Sequence, residues 1–143
     1  MATHASAAST PGWIRWAALI AILWNAFGVA MYLDSVGVFG DPLEGLSEAE
    51  RALATTLPTW VTAAFATGTF AGLLGSLGLL LRRRWARPVL LVSLAALLLL
   101  EGWIVFLSGA VKLFGLAVPI TVVIGAVLLA WLAGRADRSG WLR

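Results

Sequence analysis

Four apolar runs, each long enough to cross a bilayer as a helix, occupy most of this 143-residue chain and leave it few possible folds. They cover about Trp13–Val36, Thr59–Leu81, Ala86–Ser108 and Leu113–Gly134. Crossing about 30 Å of hydrocarbon takes roughly 20 apolar residues in a helix. Lipid offers the backbone no hydrogen bonds, so each run must satisfy its own N–H and C=O groups as a helix. Strands of a membrane barrel would alternate in segments of ~10 residues, and these runs do not alternate. With 61% hydrophobic residues and only 12% charged, a domain of this size has too little interior to hide its apolar surface from water. The expected fold is therefore all-α: one membrane domain, residues 1–143, built as a bundle of four transmembrane helices. A flexible tail (1–12), an outer loop (37–58) and a second tail (135–143) complete it.

Within the first run, Arg15 is followed by an apolar stretch and Gly28-Val29-Ala30, which has the outline of a signal peptide with a small-residue cleavage site. The apolar stretch continues through Met31-Tyr32-Leu33, however, and carries Trp24 and Asn25 where a signal core would be plain Leu and Ala. We expect an uncleaved first helix.

Lysine and arginine counts set an expected orientation. With the two tails and the second-to-third connection on one side, that side holds Arg15, Arg82, Arg83, Arg84, Arg87, Arg135, Arg138 and Arg143; the other holds Arg51 and Lys112. Eight against two predicts that both termini are cytoplasmic. The Arg82–Pro88 turn supplies half of the inside charge and is also suited to anionic headgroups. Trp13, Trp16, Trp85, Trp131 and Trp141 fit an inner aromatic belt, and Trp60 an outer one.

The outer loop is acidic, with Asp41, Glu44, Glu48 and Glu50 opposed by Arg51. Ser47-Glu48-Ala49-Glu50 matches a capping box, so a short amphipathic helix from about Glu48 to Thr56 is expected, stopped by Pro58. Ala49, Leu53 and Leu57 fall at helical spacing, which lays this helix on the membrane surface.

Within the spans, a few residues carry chemistry. In helix one, Asn25, Gly28 and Tyr32 share a face. The amide serves either as a hydrogen bond between helices or as a ligand contact. In helix two, Ala64, Gly68, Gly72, Gly75 and Ser76 form a small-residue stripe, and Gly68-x-x-x-Gly72 permits backbone-to-backbone contact, within the bundle or in a dimer. Helix four has Pro119 in its first turn, where a missing N–H costs little.

Glu101 lies inside the third run, between Leu97–Leu100 and Gly102–Phe106. A charge at bilayer depth costs about 3 kcal/mol or more unless it is neutralised, paired or turned to a polar interior. At about 1.5 Å per residue, it sits roughly 22 Å from the helix start at Ala86. Tyr32, Thr67 and Thr121 fall near the same depth, with Asn25 below, so these five residues form a candidate proton- or substrate-binding layer. Lys112 shares the face of Glu101 but is three turns away and should snorkel outward. With no base at its depth, Glu101 is expected as the neutral acid, donating to a hydroxyl or carbonyl.

Other chemistry has little to work with. The chain has no cysteine and a single histidine, His4, in a Ser/Thr/Ala tail. The spans hold no nucleophile–base pair and no set of metal ligands, so neither an enzyme, a cofactor nor a metal is expected. The basic residues lack the aromatic interleaving of a nucleic-acid surface.

Taken in order, Trp24-Asn25-x-x-Gly28-x-x-Met31-Tyr32-Leu33, Glu48–Arg51, Pro58-x-Trp60, the glycine-rich second helix and the basic turn resemble a family of small bacterial inner-membrane proteins with four helices. Its members often bear the label "sugar transporter". The resemblance covers nearly the whole chain, and it implies the four-helix architecture and, weakly, transport. The small multidrug transporters are also four-helix chains with one membrane glutamate, but theirs lies in the first helix, so that likeness is one of design. Two functions are carried forward. One is a small-solute or proton-coupled carrier acting as a homo-oligomer. The other is a non-catalytic accessory or scaffold subunit of a larger membrane complex, with the glycine face of helix two against its partner.

Overall fold

The computed structural model describes residues 11–143; His4 and most of the expected flexible tail lie outside the described residues. Among the described residues every regular element is a helix: α1 (Trp13–Ser35), α2 (Glu48–Thr55), α3 (Thr59–Leu80), α4 (Ala86–Phe106), α5 (Val111–Phe114) and α6 (Ala117–Arg138). Four of these, α1, α3, α4 and α6, are long and apolar enough to cross a membrane. They run up and down in turn, which places the eight arginines counted above at one end of the bundle, the basic end. Arg51 and Lys112 lie at the other, beside the acidic loop.

α3 stands in the middle, packed on one side against α1 and on the other against α4, with α6 on the far flank of α4. At the basic end all four spans meet in one apolar cluster of Ala18, Leu79, Ala86, Leu90, Leu132, Ala133 and Ala136, which also takes in Leu142. Toward the acidic-loop end a second cluster joins Val61 and Ala64 of α3, Leu97 and Leu100 of α4, and Ala126 of α6. There α1 joins through aromatic edges, with Tyr32 standing T-shaped to Phe65 at 5.6 Å and to Phe70 at 5.9 Å. Alanine makes up half of the first cluster, and small side chains are what let membrane helices approach closely.

The short loop helix forms where the capping box predicts it. Ser47 accepts from the Glu50 N–H, and the Glu50 carboxylate accepts from the Ser47 N–H at 2.9 Å and its hydroxyl at 2.6 Å. These hydrogen bonds, side chain first and backbone second, hold the Glu50 carboxyl below the usual carboxylate range. The cap is accordingly in place above the unfolded-state value and weakens as acidification protonates Glu50.

The fourth span differs from the expected 113–134. Val111–Phe114 forms a separate single turn, broken from α6 by Gly115 at φ +75°, so α6 starts at Ala117 and runs on through Gly134 to Arg138. Apolar composition alone does not mark that break, because Leu113, Phe114 and Leu116 flank it.

The second tail packs back onto the bundle. Gly140, at φ +68°, reverses the chain, and the Trp141 N–H donates to the Ala136 carbonyl at 2.9 Å. Leu142 is buried, and Arg143 pairs with the turn between α3 and α4: its N–H donates to the Arg82 carbonyl at 2.6 Å, and its carbonyl accepts from the Arg84 N–H at 3.1 Å.

That same turn holds a backbone anomaly. α3 ends in a Schellman motif, with the Arg83 N–H on the Gly78 carbonyl at 2.8 Å and the Arg82 N–H on the Leu79 carbonyl at 3.1 Å. The motif needs a left-handed residue, and arginine occupies it at φ +57°. α1 and α6 end in the same way with Gly37 and Gly140 at that position. A non-glycine residue there costs about 1 kcal/mol. Arg82→Gly should therefore raise stability by up to about 1 kcal/mol, and Arg82→Val should lower it. Thermal unfolding in mild detergent checks both.

Candidate functional site inside the bundle

The α3–α4 contact is read off the glycines of α3. A Cβ on Gly78 would meet the Trp85 ring and Ala86, one on Gly75 would lie 2.5 Å from Leu90 Cγ, and one on Gly68 would lie 2.6 Å from Leu97 Cδ2. These pairs define one antiparallel register, in which Ser93 stands opposite Gly72 and Glu101 opposite Ala64.

Gly72 is the tightest point, because α1 and α4 converge on it together. A Cβ there would overlap the Asn25 amide oxygen and lie 3.1 Å from Ser93 Oγ. The polar groups around it tie three helices. Asn25 Nδ2 donates to the Ala21 carbonyl at 2.8 Å within α1 and to Ser76 Oγ on α3 at 3.3 Å. Ser76 in turn donates to the Gly72 carbonyl at 2.7 Å. From α4, Ser93 donates to the Gly68 carbonyl at 2.6 Å. Asn25, Ser76 and Ser93 are all buried, so their polar atoms need these partners in the absence of water.

Glu101 lies two turns farther along α4 than Ser93, about 12 Å along the helix axis. Ala86, Leu90, Ser93, Ala96, Leu97, Leu100 and Glu101 make the buried stripe of α4, and only 6% of Glu101 is exposed. Its neighbours on that stripe, Leu97 and Leu100, belong to the apolar cluster with Val61, Ala64 and Ala126. Its Oε2 is buried and has no hydrogen-bond partner among the described residues. A buried polar atom without a partner costs about 1–3 kcal/mol, so this position is the least satisfied in the bundle.

The polar layer suggested by depth alone is not assembled. Asn25 belongs to the serine–glycine tie nearer the basic end, and Tyr32 packs between Phe65 and Phe70. Thr67 and Thr121 share the depth of Glu101 only approximately and face outward, the Thr121 hydroxyl returning to the Ala117 carbonyl of its own helix at 2.7 Å. Depth follows from counting residues, whereas the face depends on each helix's rotation. Gly68, Gly72 and Gly75 are buried against α1 and α4, so their close approach is made inside the chain.

Sequence reasoning overlooked Ser93. Its signal was present: it precedes Leu97 by four residues and Glu101 by eight, on the same helical stripe. Ser76 was visible as a small residue but not as the acceptor for Asn25.

Two apolar grooves open on the surface. One, about 220 Å³, lies near the acidic-loop end and is lined by Ser35, Leu57, Val61, Thr62, Phe65, Leu100, Trp103 and Ile104. The other, about 430 Å³, runs along the outer side of α3 and α4 past Trp60, Thr67 and Leu99. Glu101 lines neither. Among the described residues no three His, Cys, Asp or Glu side chains come together as a metal site.

Fold and site together define a multi-pass helical membrane protein with an internal acid. No protein-family model, curated protein or solved structure matches the chain.

The contact at Gly72 makes a quantitative expectation. Gly72→Ala forces a methyl into the Asn25 amide and should cost about 1–3 kcal/mol. Adding Asn25→Ala should recover part of that loss, giving a coupling of about 1 kcal/mol in a double-mutant cycle of detergent unfolding. Additive losses would mean that the two residues do not meet.

Proposed function

We propose that this chain is a small-solute or proton-coupled carrier of a bacterial inner membrane, working as a homo-oligomer with both termini in the cytoplasm. The single observation behind the mechanism is the buried Glu101 oxygen without a partner. A carboxyl group held in that setting can exchange a proton or accept a cationic or hydroxylated ligand, and its unsatisfied oxygen is the free valence such a ligand would fill. The orientation rests on the eight arginines at one end against two at the other. The oligomer rests on size, since four helices with an apolar core around the acid leave little room for a pathway of their own.

A second reading, an accessory subunit of a larger membrane complex, draws on a different observation. The glycine stripe and Asn25 are committed to internal contacts, while α1 presents Trp16, Ile20, Leu23 and Phe27 outward as a broad apolar face. In this reading Glu101 is a fixed structural acid, and the outer face of α1 takes the place of the glycine face against the partner.

Glu101→Gln separates the two. It keeps the volume and removes the titrating proton. Proteoliposomes with a trapped pH-sensitive dye report proton movement when an imposed gradient is challenged with a panel of monosaccharides and monovalent cations. The carrier reading expects solute-dependent proton flux in the wild type and a fall of about tenfold or more in Glu101→Gln, with the elution profile in detergent unchanged. Equal behaviour of the two proteins, with another membrane chain co-purifying in mild detergent, favours the subunit.

A further inference from the structure

The basic end carries an arrangement that the carrier reading does not use. Eight arginines gather there against one acidic side chain, Asp137, which already pairs with Arg87 at 2.8 Å. The other seven have no carboxylate partner among the described residues. Topology explains why arginines lie at this end, but it does not explain their being tied to one another. The structure adds that tie: Arg143 is drawn onto the Arg82–Arg84 turn by two backbone hydrogen bonds and held there by the buried Leu142. The turn itself is fixed in one shape by the left-handed Arg82 and the Schellman bonds. These bonds hold the backbones of four cationic residues together at one end of the bundle, and their summed charge attracts an anion.

The depth of the cluster identifies the anion. Exposed Trp16, Trp85 and Trp131 lie toward the same end of the bundle, and tryptophan rings of that kind sit at the headgroup level of a bilayer. The phosphates concentrated at that level are those of lipid. Arginine also matches phosphate oxygens in a forked, two-bond geometry. We infer that the Arg82–Arg84 turn and the docked Arg143 form a binding site for the headgroup of an anionic phospholipid.

The test uses the full chain in mild detergent, titrated with phosphatidylglycerol or phosphatidylcholine and read by native mass spectrometry. The wild type should hold phosphatidylglycerol about tenfold tighter than phosphatidylcholine, and Arg83→Gln with Arg84→Gln should remove most of that preference. Arg143→Gln, which touches none of the spans, should remove part of it. Arg51→Gln with Lys112→Gln, at the opposite end, should leave it intact, and a large excess of inorganic phosphate should not displace the lipid. Equal binding of the two lipids by the wild type would overturn the inference. So would a preference that survives all the basic-end substitutions, or one that inorganic phosphate abolishes.

Discussion

Helices in a bilayer gain little by hiding apolar side chains from one another, since the lipid is as apolar as they are, so close backbone approach has to hold them together. In this chain that approach is concentrated on α3, whose Gly68, Gly72, Gly75 and Gly78 each lie within a methyl's reach of a neighbouring helix. The hydrogen bonds from Asn25 and Ser93 add to it. Such bonds average about 0.6 kcal/mol in membranes, with a maximum near 1.7. Two of them cannot hold a bundle, but they can fix its register. Asn25 reaches Ser76 and fits beside Gly72 at one setting of α1 on α3, and Ser93 reaches the Gly68 carbonyl at one setting of α4. Packing supplies the strength and the polar ties select the alignment.

The setting of Glu101 follows from that alignment. The register that seats Leu90 on Gly75 and Leu97 on Gly68 turns the whole 86-90-93-97-101 stripe inward, and the acid is carried in with it. Toward the acidic-loop end α3 changes from glycine to Val61, Ala64 and Phe65, which offer a carboxyl group nothing to bond. The bundle thus buries an acid where its own side chains leave one carboxyl oxygen without a partner. The basic end is packed differently, with every span and Leu142 drawn into one cluster.

The sequence disclosed the four spans because hydrocarbon demands long apolar helices, and it disclosed α2 because a capping box is local chemistry between Ser47 and Glu50. It also showed that α3 would be the crowded helix. Other features depend on contacts that no local pattern records. Whether Thr67 and Thr121 face Glu101 depends on helix rotation, and the apolar residues around both threonines leave that rotation unmarked. The stop at Gly115 is hidden among apolar residues on either side. The return of Leu142 and Arg143 to the Arg82 turn joins segments about sixty residues apart, and so it emerges only when α4 and α6 are laid side by side.

The central claim, that α1 lies directly against α3 through small residues in the middle of the membrane, can be tested at one pair. A Cβ on Gly28 would lie 3.8 Å from the Thr69 Cβ, which suits a disulfide, and the chain has no cysteine of its own. Gly28→Cys with Thr69→Cys, oxidised in native membranes, should cross-link within one chain and shift its mobility on a gel, whereas Gly28→Cys with the outward-facing Thr67→Cys should not. If the first pair stays reduced while the second cross-links, α3 is rotated away from the face described here and the account fails.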